Sequence, residues 1–156
     1  MAVRDYEEFI ELLNGNGVRY MIADPHAVAF HARPRATKDL DIFHDPSPDA
    51  AERILSSIRH FFAGADIDLT VADLIDPDTI IQLGVAPVRI DLLSSLAGIP
   101  SFETAWANRV DAFYGDVRAH YLSLDDLIRA KTASGRDQDR ADLRSLARAR
   151  SRKSRM

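Results

Sequence analysis

The sequence contains no cysteine, which removes disulfide frameworks, thiolate zinc sites and cysteine nucleophiles from consideration. Any metal must then be held by oxygen or imidazole ligands. No apolar run approaches the ~20 residues needed to span a bilayer. The first residues, Met1-Ala2-Val3-Arg4-Asp5-Tyr6-Glu7-Glu8, lack the apolar core of a signal peptide. The expectation is a cytoplasmic protein with no membrane partner. There is also no internal repeat and no low-complexity tract.

What is present is an ordinary globular composition. An apolar fraction of 46% with 28% charged residues excludes disorder and collagen. A length of 156 residues fits one hydrophobic core, so the expected organisation is a single domain over 1–150 with a basic tail over 151–156. The net charge of −4 argues against a whole-surface affinity for nucleic acid. The sign is unevenly spread, however: Arg144, Arg148, Arg150, Arg152, Lys153 and Arg155 crowd the end of the chain. A solvated helix end running into a frayed tail and an RNA-binding arm both fit that run.

Hydrophobic spacing supplies the elements. Tyr6, Phe9, Ile10 and Leu13 predict an amphipathic helix stopped by Asn14-Gly15-Asn16-Gly17. Val18 to Ala23 reads as a buried strand. Asp24-Pro25 predicts a helix start, with Asp24 as N-cap, Pro25 in the first turn and His26 to His31 as the body. Arg33 to Thr37 reads as an extended connector, and Asp39 to Phe43 alternates like a half-buried strand. Ala51, Ile54, Leu55, Ile58 and Phe62 give a second amphipathic helix. Thr79 to Gly84 pairs with Val88 to Leu93 as a hairpin, and Val110 to Tyr114 pairs with Val117 to Tyr121 across Gly115-Asp116. Two helices, about Ser123 to Ala133 and about Arg136 to Ala149, close the chain around Ser134-Gly135. The fold class is α/β or α+β, a mixed β-sheet flanked by helices.

Within that frame three acids carry chemistry. Residues two apart on a strand share a face, so Asp39 and Asp41 project together while Leu40 and Ile42 face the core. Uncompensated, the pair would drive one carboxyl to protonate; a divalent cation such as Mg²⁺ or Mn²⁺ keeps both ionised. Asp91 shares its strand face with Arg89, opposite Val88, Ile90 and Leu92. If the two strands are neighbours, the three acids form the ligand set of a metal-assisted phosphoryl or nucleotidyl displacement. Two solvated acids on a surface strand fit the Asp-x-Asp equally well. His26, His31 and His44 lack ligand spacing and read as packing or surface residues. Asp139 and Asp142, near Arg136 and Arg140, read as a salt-bridged helix surface.

The combined run is more specific than its parts. Val18-Arg19-Tyr20, Ala27 to His31 and Arg33-Pro34-Arg35-Ala36-Thr37-Lys38-Asp39-Leu40-Asp41-Ile42 resemble the minimal nucleotidyltransferases of the DNA-polymerase-beta superfamily, especially the group related to AbiEii-type toxins. Ile81-Gln82-Leu83-Gly84 with Arg89-Ile90-Asp91-Leu92-Leu93 is similar to that group's third-acid strand. Leu124-Asp125-Asp126-Leu127-Ile128-Arg129-Ala130-Lys131, then Gly135-Arg136, Asp139 and Asp142, is similar to its closing motif. The resemblance implies the nucleotidyltransferase fold and Mg²⁺-dependent transfer of a nucleoside monophosphate from a nucleoside triphosphate to an acceptor hydroxyl. It implies catalytic, metal-binding roles for Asp39, Asp41 and Asp91, with Asp91 nearest the acceptor. It implies nucleotide contacts from Asp24, Arg35, Thr37, Lys38 and Lys131. For Lys131 a helix-surface lysine remains the alternative, and for Arg35 and Thr37 pairing with the acids. The acceptor is open among a small molecule, a protein side chain and RNA, and an antitoxin or a second copy is a compatible partner.

The sequence departs from the group at one place. The first strand usually leads into Gly-Gly or Gly-Ser, whose backbone amides approach the triphosphate; here Asp24 and Pro25 stand there, and Pro25 has no N–H. An unscreened Asp24 would repel a triphosphate by roughly 4 kcal/mol at ~4 Å and an effective dielectric of ~20. Two expectations follow: a working enzyme with altered nucleotide handling, or a degenerate relative that binds a partner or nucleic acid.

Overall fold

The computed structural model describes residues 3–32, 39–85 and 87–154, with the side chain of Gln138 outside that description. Helix α1 (Arg4–Gly15) buries Tyr6, Phe9, Ile10 and Leu13 and packs on α3 and against β4 and β6. Strand β1 is Tyr20–Ile22, α2 is His26–His31 and β2 is Asp39–His44. Helix α3 (Pro48–Phe61) begins where the Ser47 hydroxyl accepts a hydrogen bond from the Ala50 amide, as an N-cap should. Strands β3 (Ile80–Val85) and β4 (Val88–Leu93) form the first expected hairpin. Helix α5 is Phe102–Ala107, and β5 (Val110–Tyr114) with β6 (Val117–Tyr121) forms the second hairpin. The chain closes with α6 (Leu124–Ser134) and α7 (Asp137–Ser154).

The sheet runs in the order β3-β4-β2-β1-β6-β5. It is mixed: β2 is parallel to β4 and β1 to β6, while β1–β2 and both hairpins are antiparallel. The parallel β2–β4 pair makes the site. Its register sets Asp39 against Arg89 and Asp41 against Asp91, and the alternating faces send Leu40, Ile42, Ile90 and Leu92 into the core at no more than 1% exposure. Truncating one of these to alanine would cost ~2–5 kcal/mol, so the acids stand on well-anchored backbone.

Four expectations are corrected. The Asp24 side chain does not cap α2: the residue flanking that helix is Pro25, without a side-chain cap, because the Asp24 carboxylate is engaged by a lysine 107 residues away. The terminal helix does not stop near Ala149 but continues to Ser154, its residues after Ala149 being exposed and compatible with helix throughout. Helix α4 (Val71–Ile75) was not expected; a capping box between Thr70 and Asp73 starts it. Asp139 and Asp142 are buried and not at the surface, at 0% and 4% exposure. Arg33 to Lys38, with the expected contacts of Arg35, Thr37 and Lys38, lie outside the described residues. Among the described residues no helix is long and apolar enough to cross a membrane.

Candidate active site

Two glycines shape the walls around the acids. Gly135 ends α6 in the left-handed region (φ 63°), its amide donating to the Lys131 carbonyl, and so lets α7 fold back on α6. Gly98, also at positive φ, lies so close to α6 that a Cβ would stand 2.7 Å from the Arg129 carbonyl oxygen. That close approach brings Leu96 and Ala97 to one side of a cavity of about 250 Å³. Asp24, Asp41 and Asp91 line it, with Lys131 and Arg136 beside them and Leu122, Leu127 and Ala130 among its apolar walls.

Among the described residues the three acids are short of positive charge. Burial, then the neighbouring charges of Asp91, Asp24 and Asp39, pushes the Asp41 carboxyl up to about 8, against a smaller lowering by Lys131. The carboxyl of Asp91 is raised as well, first by burial, with Arg89 pulling the other way. Its Oδ1 is buried without a hydrogen bond. Among the described residues Arg89 is the cation in reach: it donates to Asp39 Oδ2 at 3.2 Å, and its Nε stands 3.7 Å from Asp91 Oδ1. That Nε is itself buried without a hydrogen bond. The Arg89 backbone is fixed, because the Tyr6 hydroxyl donates to its carbonyl and accepts from its amide.

A divalent cation fits this donor set chemically, since it would satisfy the orphaned Asp91 oxygen and keep Asp41 ionised. The set is not pre-assembled: among the described residues no three carboxylate or imidazole groups converge as a ready ligand sphere. The Arg89–Asp39 ion pair competes for one of the donors.

The whole chain can be placed at this point. A family model described as "Nucleotidyl transferase of unknown function (DUF2204)" matches residues 2–156. The chain belongs to this nucleotidyl transferase family. Comparison with the curated proteins gave no match.

For a nucleotidyl transferase the second cluster at the cavity is as informative as the first. The Lys131 ammonium, 2% exposed, donates to Asp24 Oδ2 at 2.6 Å, Asp142 Oδ2 at 2.8 Å and Asp139 Oδ1 at 2.9 Å. Burial alone would lower its pKa; the hydrogen bonds it donates to Asp142, Asp24 and Asp139 outweigh burial and raise it. Burial likewise opposes ionisation of Asp139, yet hydrogen bonds from Ser134, Lys131 and Arg136 hold it well below the usual carboxylate range. All three ammonium donors are therefore spent inside the protein. Asp24 is not the bare charge expected from the sequence, because Lys131 and, at 3.7 Å, Arg136 face it. Arg136 is 65% exposed and is the cation at the cavity that still has its outer edge in solvent, among the described residues.

Sequence reasoning missed Arg136 as a site residue and misplaced Asp139 and Asp142. A signal existed: Asp139, Asp142, Leu146 and Ala149, all buried, follow helical spacing, so the two acids occupy positions of the apolar stripe. Leu124, Leu127 and Lys131 do the same on α6. The histidines pack: His26 and His44 are buried, His26 is driven down to about 4 by burial, and His31 Nε2 lies 2.7 Å from the Leu122 carbonyl.

Proposed function

We propose that the chain is a metal-dependent nucleotidyltransferase that moves a nucleoside monophosphate from a nucleoside triphosphate to an acceptor hydroxyl. The observation that carries this is the β2–β4 register, which puts Asp41 opposite Asp91, with Asp39 two residues before it, beside a cavity large enough for part of a nucleotide. Asp39, Asp41 and Asp91 would hold Mg²⁺ or Mn²⁺, which supplies charge stabilisation at the reacting phosphate. Asp91, with its raised pKa, is suited to take the proton of the attacking hydroxyl. The oxygen then bonds to the α-phosphorus and pyrophosphate leaves. With Pro25 offering no amide, the triphosphate needs a side-chain partner, and Arg136 at the cavity supplies one. The apolar walls of Leu122, Leu127 and Ala130 exclude water from the reacting groups.

Incubation with Mg²⁺ or Mn²⁺, each labelled nucleoside triphosphate, and total RNA or lysate should label an acceptor, and Asp41→Ala should abolish the label. Absence of nucleotide binding by the folded wild type under every metal condition would sink the reading. The toxin relation belongs to the same proposal, with action in the cytoplasm and an antitoxin or second copy as partner. Induced wild type should arrest growth and Asp41→Ala should not.

The Arg89–Asp39 ion pair and the loss of the glycine amides favour a second reading, a degenerate relative that binds a partner or nucleic acid. Recovery of nucleotide binding on changing Asp24 and Pro25 to glycine would select it.

A further inference from the structure

The basic end of the chain takes no part in the site described so far. Residues 144–156 hold six cations and no acid, so in a chain of net charge −4 the remainder carries −10. Helix α7 gives this run a definite face. Arg144, Arg148 and Arg152 are exposed and four residues apart, hence stacked on one side at steps of about 6 Å. With Ala32 and Ser145 they line a groove of about 390 Å³. Like charges at this spacing repel one another. Among the described residues none of the three has a carboxylate partner, whereas Arg150 on another side of the helix reaches Asp125 at 3.5 Å. A trio of unpaired, mutually repelling guanidiniums in a concavity is suited to a polyanion.

Three further observations narrow the polyanion. The N-terminal half of the same helix fixes Asp139 and Asp142 on Lys131 beside the Asp41–Asp91 cavity, and Asp142 to Arg152 is a run of about 15 Å along the helix axis. Helix α2 packs on α7 and, two residues before Ala32, exposes Phe30, whose ring is held flat on Tyr121 with centroids 4.1 Å apart. A fixed exposed ring can stack a base. Finally, no exposed large apolar residue lies on α7, so the helix lacks the face with which an interfacial helix enters a lipid surface.

We propose that the Arg144–Arg148–Arg152 groove binds the phosphodiester backbone of a nucleic-acid strand and presents its terminal hydroxyl to the Asp41–Asp91 cavity. The presentation step rests on the transfer reading; the binding step does not. The test is fluorescence anisotropy of the full chain with labelled tRNA, a short single-stranded DNA, and vesicles of phosphatidylcholine with phosphatidylserine, without nucleotide or metal. Wild type should bind a strand, and the tighter of RNA and DNA identifies its type. The triple variant R144Q/R148Q/R152Q should bind ~10-fold or more weakly, with the slope of log K against log salt reduced by about 2. A charge-matched control, R4Q/R59Q/R118Q, alters exposed arginines elsewhere and should keep wild-type affinity. Thermal melting of both triples should match wild type, which separates lost binding from lost folding.

Equal loss in the two triples, binding to vesicles but to neither strand, or undiminished label transfer to RNA by the groove variant would each overturn the proposal. Strand binding that is lost in the groove variant while no acceptor is ever labelled would keep the groove and remove the transfer reading. The two failures are therefore distinguishable.

Discussion

Two sets of three aspartates, each contributing to the lining of one cavity, have opposite fates. Asp24, Asp139 and Asp142 close on the ammonium of Lys131, which is dry, saturated and shared among β1's end, α6 and α7. Among the described residues, Asp39, Asp41 and Asp91 have Arg89 as their ion-pair partner, which bonds Asp39, stands off from Asp91 and leaves Asp41 to be driven toward neutrality. The same residue type thus serves two ends. Where the cation comes from the chain, the carboxylates fasten helices to the sheet; where it does not, they store an unmet demand for positive charge.

The largest effect should come from emptying the filled set. Lys131→Met leaves buried carboxylates without a counterion and should cost about 3–5 kcal/mol of stability by urea unfolding. A loss under ~1 kcal/mol would mean that the two sets do not differ as described.

Emptying the other set should do the reverse. The Asp41 carboxyl titrates near 8 in the fold and near ~3.9 unfolded. Between those values the folded chain holds a proton that the unfolded chain has released, so stability falls as pH rises through the window and stops falling above about 8. Asp41→Asn should therefore stabilise the metal-free protein at pH 8, and its unfolding free energy should lose this alkaline decline. Mn²⁺ should raise the melting temperature of wild type but not of Asp41→Asn. Equal metal stabilisation of both would place the ion elsewhere.

The smallest effect separates Arg89 from the acids. Arg89→Gln removes the competing cation and should tighten Mn²⁺ binding up to about fivefold in calorimetry, the ~1 kcal/mol at the upper end for a rim ion pair. Weaker Mn²⁺ binding would instead make Arg89 a support that the acids need.

How much of this was legible in the sequence depends on the range of the interaction. The Asp39–Asp41 face follows from strand alternation, and the Gly115-Asp116 hairpin from its turn; both are local. The pairing of β2 with β4 joins residues 50 apart, Asp39 and Arg89, and no local pattern announces a parallel neighbour. Asp24 shows the limit sharply. A short carboxylate before a proline fits an N-cap, and only the fold reveals that Lys131 claims it first. Asp139 and Asp142 were misplaced because the arginines flanking them suggested solvent, while the burial stripe they share with Leu146 and Ala149 pointed inward.

The position of β2 and β4 inside the sheet also bears on how the molecule loses order. Both are flanked on each side by another strand, whereas β3 and β5 are the edges. Amides of the site strands should accordingly exchange with solvent only through global unfolding, and those of β5 through cheaper local opening. Heat should then extinguish metal binding and the cooperative melt together, after the outer hairpin has begun to breathe.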